Sequence, residues 1–541
     1  MFFAQEYKRV SCIGILFGIA YVGLLARLYI MQIVHHDFFT ELGAKQYAIT
    51  VTQQAKRGLI TDRHGTPLAL NSAAQSAFIT PCFLREPKTL YPFLQQEFHS
   101  AYEKLLAKKD KKFMFIARHI NKQTEEKLKN VHHKDIYFLE EPARVYPAPA
   151  CASIVGSVDI DNHGIAGCEL SLNTLLAGRP AMYAVQKDAH ADHFYFEKKE
   201  IEQATPGLDV SLTIDATLQY VIQEKLANYA QENGCVEGGA IILDPGNGDI
   251  LCMTSFIAND QSFDAKMKNT CVAHAYEFGS ICKLFVAAAA LEEGLVTIDE
   301  LIDCKNKKTA RVDGRIINTW KAHGILSFKQ VIALSNNIGI AIVAKRLDTL
   351  LYKHYKELGF GSKLPVALPG KHAGFLQDPA HWSKQSLISL SYGYELSVTL
   401  LHLASAVATF AHEGHRVYPR LLLTDQIQIG QKLYSPQTVN QIKEILEETT
   451  TRGTAHRAKI QKYSVLCKTG SAHRVVDGFY SKDNNIYSCI GIVEKDLYKR
   501  VVAVYVQKNG SGQEHTFAST MAAPLFNTIA SYMLVHDHVI S

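Results

Sequence analysis

The chain has 541 residues, of which 47% are hydrophobic and 20% charged, and its formal net charge is +5. These ordinary values exclude a wholly disordered chain and a coiled-coil rod, and the length suggests about three structural units. The mean hydropathy of −0.04 excludes a polytopic membrane protein. The small basic excess is spread along the sequence, so we expect no nucleic-acid partner.

The chain begins with a long apolar stretch. Residues 10–34 contain one charge, Arg27, and these 25 positions exceed the roughly 20 needed to cross a bilayer. Lys8 and Arg9 precede the stretch, which predicts a cytoplasmic N-terminus over residues 1–9. A cleaved signal peptide is the alternative, but its apolar core is about 7–15 residues and a small-residue cleavage site follows it. We therefore predict an uncleaved transmembrane anchor.

The rest of the chain divides near residue 205, where the amino-acid composition and the secondary-structure patterns change. Residues 35–205 are rich in Lys, Phe and His, whereas residues 206–541 carry clear strand and helix patterns. The patterns predict a strand over 210–214, a helix over 216–229, a hairpin over 239–253, a helix over 280–293, strands over 463–467, 486–493 and 500–507, and a last helix over 523–536. Strands at both ends with helices between them predict an α/β (α+β) domain with one central antiparallel sheet flanked by helices.

The first candidate for chemistry is a serine-lysine pair. Ser280 and Lys283 are three positions apart, so a helix places them on one face, and Gly279 marks the start of that helix. A serine there has a free backbone N–H and lies at the positive end of the helix dipole. A partly buried lysine beside it can lose its proton and serve as a base. Alone the pattern is weak, because Ser-x-x-Lys occurs by chance about once or twice in such a chain, and a helix cap with an exposed lysine is the alternative.

Two later patterns strengthen the first. Ser335-Asn336-Asn337 offers a second hydroxyl for proton relay and an amide that can hold a peptide group. Lys468-Thr469-Gly470 follows a predicted strand, and Gly470 lets a substrate approach the backbone closely. The three elements in this order match the motif set of serine penicillin-binding proteins and β-lactamases.

The chain resembles a class B penicillin-binding protein, a membrane-anchored peptidoglycan DD-transpeptidase, over nearly its whole length. Further likenesses are found at residues 57–69, 163–170, 212–219, 393–399, 453–454 and 522–526. The resemblance implies a pedestal of the dimerisation type over 35–205 and a transpeptidase domain over 206–541. The Ser-x-Asn form of the second motif, followed by Ile338-Gly339, is more similar to division-type than to elongation-type members.

The resemblance also implies a mechanism. The substrate would be a peptidoglycan stem peptide ending in D-Ala-D-Ala, and β-lactams would mimic it. The implied roles are nucleophile for Ser280, general base for Lys283, proton relay for Ser335, oxyanion hole for the backbone N–H groups of Ser280 and Ser471, and substrate binding for Asn337, Lys468, Thr469, Gly470 and Ser471. An amine from a neighbouring stem would then close the cross-link. No cofactor and no metal are expected.

The implied setting is septal cell-wall synthesis at the inner (cytoplasmic) membrane, with the bulk of the chain in the periplasm. Since we find no glycosyltransferase region before the transpeptidase, the expected partners are a membrane glycosyltransferase of the shape, elongation, division and sporulation type and other divisome proteins. The enzymatic alternatives are an elongation-type transpeptidase and a DD-carboxypeptidase. A catalytically weak divisome scaffold is the alternative from another class, but the intact motif residues argue against it.

Some positions depart from the family pattern. Phe278 stands where a proline usually precedes Gly279, His402 replaces a usual glutamine, and Cys282 and Cys467 are unusual within and beside their motifs. We expect these changes to affect the pocket rim and drug affinity but not the reaction. The chain has 11 cysteines and no C-x-x-C, and most lie among apolar neighbours, so we expect small buried hydrophobes; their pairing is left open.

Two other motifs are set aside. Residues 169–173 spell E-x-x-L-N, which is similar to the deacylating loop of class A β-lactamases, but here the pattern precedes Ser280 instead of following the second motif. We assign it to the pedestal and do not expect β-lactamase activity as the main role. His412-Glu413-Gly414-His415 has the wrong spacing for a zinc-protease helix, so it is interpreted as a surface turn.

Overall fold

The computed structural model describes residues 2–111, 113–187, 194–258, 262–476, 478–510 and 516–539. The chain forms two compact units, one made of Met1–Lys56 with Gly178–Gly207 and the other of Arg57–Ala177 with Leu208–Ser541. The domain limits expected from the sequence, 35–205 and 206–541, stay a prediction.

The first unit begins with the apolar helix. Helix Phe2–Tyr29 continues as a π-helical turn, Ile30–Val34, and helix His36–Tyr47 follows. The 25 residues Val10–Val34 are long and apolar enough to cross a membrane, and none is buried against protein. They fit a single-pass membrane anchor. An antiparallel three-stranded sheet completes this unit, in the order Ala48–Gln53, Ala181–Lys187, Phe194–Glu202.

The second unit contains a smaller sheet near its N-terminal end. Its strands are, in order, Val210–Ser211, Ile60–Thr61, Pro67–Ile79 and Met114–Ile120, with Tyr137–Val145 also paired to Pro67–Ile79; the pair Ser157–Val158 and Gly164–Ala166 lies apart. The helices of this part are Pro87–Glu97, His99–Ala107, Lys122–Asn130, Ala152–Val155, Gly167–Ser171 and Asn173–Leu176. The predicted strand over 210–214 is therefore shorter than expected, and it pairs in parallel with Ile60–Thr61 instead of joining the large sheet.

A buried charge network holds this part together. Glu169 accepts from Arg57 Nε at 2.6 Å and from Arg144 Nε at 2.7 Å. The carboxylate is fully buried and both guanidinium groups are nearly so. Asn173 Oδ1 accepts from Arg57 Nη1 at 2.9 Å. The first and last residues of E-x-x-L-N thus bind one arginine, which gives the motif a structural role.

The large sheet has five strands, which we number in chain order: β1 (Glu237–Leu243), β2 (Ile250–Ile257), β3 (Ser464–Val476), β4 (Phe479–Lys495) and β5 (Tyr498–Asn509). Their spatial order is β2-β1-β5-β4-β3, and every pairing is antiparallel. The predicted hairpin and the predicted antiparallel sheet are confirmed. Strand β3 runs nine residues beyond its predicted end at Cys467, because pairing with β4 continues to Val476.

Helices cover both faces of this sheet. Successive residues of a strand point to opposite faces, and in β1 Ala240 and Ile242 belong to one apolar core whereas Ile241 and Leu243 belong to another. The helices are Ala216–Glu232, Phe263–Met267, Thr270–Ala273, Cys282–Glu292, Phe328–Ala333, Asn337–Leu347, Leu350–Glu357, Ser386–Ser391, Leu400–Ala411, Pro436–Thr451 and Ala518–His536. Short strand pairs link them: Leu301–Asp303 with Ile325–Ser327, Thr309–Val312 with Arg315–Asn318, Phe375–Leu376 with Leu396–Ser397, and His415–Val417 with Ile429–Lys432.

The cysteines behave as the sequence suggested. All 11 are free thiols, and Cys12 and Cys82 are the two exposed ones. The other nine are buried, where a thiol packs as a small apolar side chain.

His402 occupies a capping position that predicts a pH-dependent stability. It is the third residue of helix Leu400–Ala411, and its Nδ1 accepts from the Thr399 backbone N–H at 3.2 Å. Its Nε2 lies 2.7 Å from the Ser362 carbonyl, so this nitrogen carries the proton of a neutral ring. Burial lowers the pKa of His402 to about 4, below the value of about 6.5 in an unfolded chain.

Because the unfolded state binds this proton first as the pH falls, the stabilising contribution is complete above pH 6.5 and is lost between pH 6.5 and 4. The loss should approach about 3 kcal/mol. His402→Gln keeps a capping amide without a titrating group, so its urea midpoint should fall less over this range than that of the wild type. His381→Gln, at an exposed position, should retain the wild-type pH dependence. Equal pH dependence in His402→Gln and the wild type would contradict the assignment.

Candidate active site

Ser280 and Lys283 lie at the start of a buried helix. Ser280 is in a 3₁₀ turn, Gly279–Ile281, and the α-helix begins one residue later as Cys282–Glu292. The predicted α-helical start at Ser280 was therefore slightly early, but the turn keeps the pair on one side. Lys283 Nζ lies 3.0 Å from Ser280 Oγ.

The Lys283 amine is enclosed by oxygen atoms. Its Nζ lies 2.8 Å from the Ser335 carbonyl, 3.1 Å from Ser335 Oγ and 2.5 Å from Asn337 Oδ1. The side chain is fully buried, and burial, followed by the like charge of Lys468, lowers its pKa well below the usual range. A neutral amine can donate to the two carbonyl-type oxygens and direct its lone pair at a hydroxyl. This arrangement can accept a proton from Ser280.

Ser335 is held by an unusual backbone conformation. Its φ is +56°, a left-handed value that non-glycine residues seldom adopt and that is frequent at functional sites. The next residue, Asn336, caps helix Asn337–Leu347 by accepting from Gly339 N at 2.9 Å. Asn337 Nδ2 donates to the Asn318 carbonyl at 2.7 Å, which fixes the amide orientation. The second motif thus presents one hydroxyl and one amide oxygen to Lys283.

The third motif lies on β3, at the edge of the sheet. Lys468 is fully buried, and its Nζ lies 3.3 Å from Ser335 Oγ and 2.9 Å from the Thr469 carbonyl. Burial lowers the pKa of Lys468 to about 8. The Thr469 hydroxyl lies 2.7 Å from that of Thr454, a residue of the Gly453-Thr454 pattern. Two lysines and two serines therefore meet in one hydrogen-bonded group.

Two glycines let the first and third motifs touch. Gly279 has φ +54°, and a Cβ there would lie 2.4 Å from the Ser471 carbonyl oxygen. A Cβ on Gly470 would lie 2.3 Å from the Phe278 carbonyl oxygen. Both gaps are too short for any side chain, so only glycine permits the approach. The backbones of Ser280 and Ser471 are consequently neighbours, as an oxyanion hole shared by the two would require.

A cleft of about 480 Å³ opens over this group. Ten of its lining residues were not assigned a role from the sequence: Trp320, Lys321, Leu334, Arg452, Gly453, Thr454, His456, Phe517, Ala518 and Ser519. The Trp320 indole donates to the Leu334 carbonyl at 2.8 Å, and the Ala518 N–H donates to Ser471 Oγ at 3.0 Å. Apart from Gly453-Thr454, these residues come from distant segments and carry no local pattern; the scarcity of tryptophan could have drawn attention to Trp320, which is one of two.

Known families match both parts of the chain. Residues 238–531 match the penicillin-binding protein transpeptidase domain, and residues 52–212 match the penicillin-binding protein dimerisation domain. The first match alone spans more than half of the sequence. The chain belongs to the penicillin-binding protein transpeptidase family. The dimerisation match contains E-x-x-L-N, in agreement with its assignment to the pedestal.

Curated relatives place this penicillin-binding protein in class B. It is 30% identical to stage V sporulation protein D of Bacillus subtilis, over 95% of this chain and 84% of that protein. It is 26% identical to peptidoglycan D,D-transpeptidase FtsI of Escherichia coli, over 97% and 90% of the two chains. It is also 26% identical to the probable peptidoglycan D,D-transpeptidase PenA of Neisseria meningitidis serogroup B, over 96% and 91%. The protein is a peptidoglycan D,D-transpeptidase of the class B type.

Solved structures support the fold. Penicillin-binding protein 3 of Mycobacterium tuberculosis superposes with a TM-score of 0.68 at 23% identity, over 90% of this chain and 98% of that one. The transpeptidase domain of Burkholderia pseudomallei penicillin-binding protein 3 gives a TM-score of 0.55 at 27% identity, over 61% of this chain and 96% of that one. The predicted fold class is confirmed.

Proposed function

We propose that this class B penicillin-binding protein cross-links stem peptides through an acyl-enzyme on Ser280. The observation that carries the proposal is the 3.0 Å contact between Ser280 Oγ and the Nζ of the buried Lys283. A lysine with a lowered pKa next to a hydroxyl is an activated nucleophile pair.

In the acylation step, Ser280 Oγ attacks the carbonyl carbon of the penultimate D-Ala and its proton passes to Lys283 Nζ. The N–H groups of Ser280 and Ser471 stabilise the oxyanion, and one such donor typically contributes about 10²–10³ in rate. The D-Ala–D-Ala amide bond then breaks. Ser335, which lies 3.1 Å from Lys283 Nζ and 3.3 Å from Lys468 Nζ, passes the proton to the departing amine.

The remaining motif residues hold the substrate. Asn337 binds the donor peptide group, and Lys468 supports the field around Ser335. Thr469 and Ser471 contact the terminal carboxylate, while Gly470 permits the peptide to lie close to β3. An amine of a neighbouring stem attacks the ester, forms the new amide bond and returns the hydrogen to Ser280 Oγ. A β-lactam ring undergoes the same first step, so β-lactams inhibit the enzyme by leaving Ser280 acylated.

The lowered pKa of Lys468 predicts an alkaline limit on acylation. If its ammonium assists Ser335, the rate with benzylpenicillin should fall about tenfold per pH unit above pH 8, as Lys468 loses its proton. Lys468→Arg cannot lose its charge in this range, so the fall should disappear even though the absolute rate is lower. Lys443→Arg, in a partly buried ion pair with Glu494 outside the cleft, should retain it. The pH profile between 6 and 10 is the measurement, and an unchanged alkaline limb in Lys468→Arg would contradict the role.

Analysis of the reaction products separates a transpeptidase from a DD-carboxypeptidase. The full chain in detergent should release D-alanine from a stem pentapeptide and transfer the acyl group to an added amino acid. A DD-carboxypeptidase would give only the hydrolysed tetrapeptide even at high amine concentration. Absence of both products from folded wild-type protein would contradict the proposed reaction.

The cellular role that we propose is septal wall synthesis, with the helix Val10–Val34 in the inner membrane, a short cytoplasmic N-terminus and the remaining chain in the periplasm. The Ser335-Asn336-Asn337 form of the second motif and the likeness to FtsI support this role. The partners would be a membrane glycosyltransferase of the shape, elongation, division and sporulation type and other divisome proteins. A fluorescent fusion should concentrate at the division site, whereas labelling of the lateral wall would favour the elongation-type alternative. A Ser280→Ala protein that supports division would favour the scaffold alternative.

A further inference from the structure

A buried carboxylate is hydrogen-bonded to the segment that leads to Ser280. Glu237 is the first residue of β1, and only 8% of it is exposed. Its Oε1 accepts from the Tyr276 hydroxyl at 2.8 Å and from the Tyr505 hydroxyl, and His274 Nδ1 lies 3.1 Å from both carboxylate oxygens. Hydrogen bonds to a charged acceptor are roughly twice as strong as those between neutral groups. This carboxylate therefore fixes three rings from two separate segments of the chain.

Glu237 is ionised at neutral pH. Burial alone would raise its pKa, but the hydrogen bonds from His274 and Tyr505, together with smaller contributions, lower the pKa of Glu237 below its usual value. An ionised carboxylate is a pure acceptor with two oxygen atoms, so it can accept from all three donors at once. An amide in its place would turn one of these acceptors into a donor.

Gly239 makes room for the Tyr505 ring. The two residues lie opposite each other where β1 pairs with β5. A Cβ on Gly239 would lie 2.5 Å from Tyr505 Cε1, so any larger residue would displace the ring. The ring can therefore lie across β1, and its hydroxyl reaches Glu237, two residues away on the same face of the strand.

The two tyrosine rings pack against Phe278. This residue is 1% exposed, and its ring centroid lies 6.2 Å from that of Tyr276 and 6.0 Å from that of Tyr505. Both contacts are edge-to-face, a geometry that aromatic pairs prefer. The Phe278 carbonyl oxygen is the atom that approaches Gly470, and Phe278 immediately precedes the turn that carries Ser280. A fixed Phe278 therefore fixes the start of that turn against β3.

Ser280 needs this support because of its neighbour. Gly279 has φ +54°, and glycine is the residue type with the greatest conformational freedom. On the C-terminal side of Ser280, the buried helix Cys282–Glu292 restricts the turn. On the N-terminal side, Phe278 stands where the family pattern has a proline, so no backbone ring restricts the chain. The contacts of Phe278 with the two tyrosine rings provide this restraint instead.

We propose that Glu237 is a positioning residue for acylation. Its carboxylate holds the two tyrosine rings against Phe278 and thereby fixes Ser280 at hydrogen-bond distance from Lys283. The inference rests on the proposed acyl-enzyme on Ser280. Because Glu237 acts through these rings and not on the reacting atoms, loss of its charge should slow the bond-forming step and leave the binding of the drug unchanged.

The test is saturation kinetics of acylation by benzylpenicillin, followed as the intact mass of the full chain in detergent. Glu237→Gln keeps the size of the side chain but loses the charge and one acceptor oxygen. Its maximal acylation rate should fall about tenfold to a hundredfold, because a displacement of about 1 Å can cost about 10² in rate. The drug concentration that gives half of the maximal rate should stay within about twofold of the wild-type value.

A double variant tests whether Glu237 acts through Phe278. Phe278→Leu removes the aromatic contacts and should itself lower the maximal rate. The double variant Glu237→Gln with Phe278→Leu should then match the slower single variant within about twofold, whereas independent effects would multiply. Effects that multiply would contradict the proposed route.

Glu293→Gln is the matched control. This carboxylate also pairs with a histidine, His354, and it lies at the other end of the helix Cys282–Glu292. It should retain the wild-type maximal rate. If Glu237→Gln forms no adduct, Tyr505→Phe, which removes one donor and keeps the ring, replaces it in both comparisons. Its maximal rate should fall about tenfold, as expected for loss of a hydrogen bond to a charged group.

The final fraction of molecules that carry the adduct reports the folded fraction of each variant. A merely structural role for Glu237 would lower this fraction and leave the maximal rate of the labelled molecules equal to that of Glu293→Gln. That result, with normal acylation of the wild type, refutes this inference but not the proposed function. Wild-type protein that forms no adduct on Ser280 refutes the proposed function and this inference with it.

Discussion

Lys283→Ala is expected to lower the rate of acylation by benzylpenicillin by about 10²–10⁴, the usual contribution of a positioned general base. The wild-type amine lies 3.0 Å from Ser280 Oγ and is fully buried, so alanine leaves no other amine of the described residues at that distance. Lys468 is the other buried amine of the group, but its recorded contacts are with Ser335 and Thr469, not with Ser280. The measurement is the second-order rate constant from a time course of intact-protein mass.

The control for this prediction is another lysine. Lys329 forms a surface ion pair with Glu444, and Lys329→Ala should change the rate by less than about threefold because such pairs contribute little. The slow adduct of Lys283→Ala should still map to Ser280, which separates loss of the base from loss of the site. A Lys283→Ala protein that acylates at the wild-type rate would show that another group takes the proton.

Glu169→Ala is expected to destabilise the segment Arg57–Ala177 by about 3–5 kcal/mol, as is typical when one partner of a buried ion pair is removed. The substitution leaves Arg57 and Arg144 buried without their shared carboxylate, which accepts at 2.6 and 2.7 Å. Peptide-resolved hydrogen exchange should show lost protection over residues 57–71, 139–145 and 162–173. The exchange rates there should rise by a factor that corresponds to this free energy.

Glu140→Ala serves as the control, because this residue is exposed on the strand Tyr137–Val145 that also contains Arg144. It should change protection by less than about 0.5 kcal/mol, as surface substitutions usually do. Unchanged protection in Glu169→Ala would contradict the structural role of the E-x-x-L-N motif. Benzylpenicillin labelling of the same variant would report whether the loss stays within this segment.

The residues of the candidate site could be named from the sequence because each motif is local. Ser280 and Lys283 share a turn, and Lys468 to Ser471 are consecutive, so the sequence shows each set directly, but their roles came from the resemblance to penicillin-binding proteins because the spacing alone is weak. The arrangement among motifs needed the fold: the left-handed Ser335 and the glycine contacts between Gly279 and Ser471 have no sequence pattern of their own. The sequence patterns predict which residues belong to the three motifs, whereas tertiary packing determines the distances between those motifs.

The element limits were harder to predict where pairing determines them. The end of β3 carries Gly470, Ser471 and His473, which give no apolar alternation, yet the strand continues because β4 supplies hydrogen bonds along its edge. Val210-Ser211 looks like a strand of the domain that follows it, but its partner is Ile60-Thr61, some 150 residues earlier. Phe517 reaches the catalytic cleft because its helix packs beside β3, and no local signal indicates this.

The most direct test of the acyl-enzyme on Ser280 is the intact mass of the full chain in detergent after incubation with benzylpenicillin. We predict one adduct of the mass of the intact drug, on the peptide that contains Ser280, and none in Ser280→Ala. The variant should remain folded, since a single hydroxyl at a helix start contributes at most about 0.5–2 kcal/mol. An adduct on another residue, or folded wild-type protein with no adduct, would contradict the account.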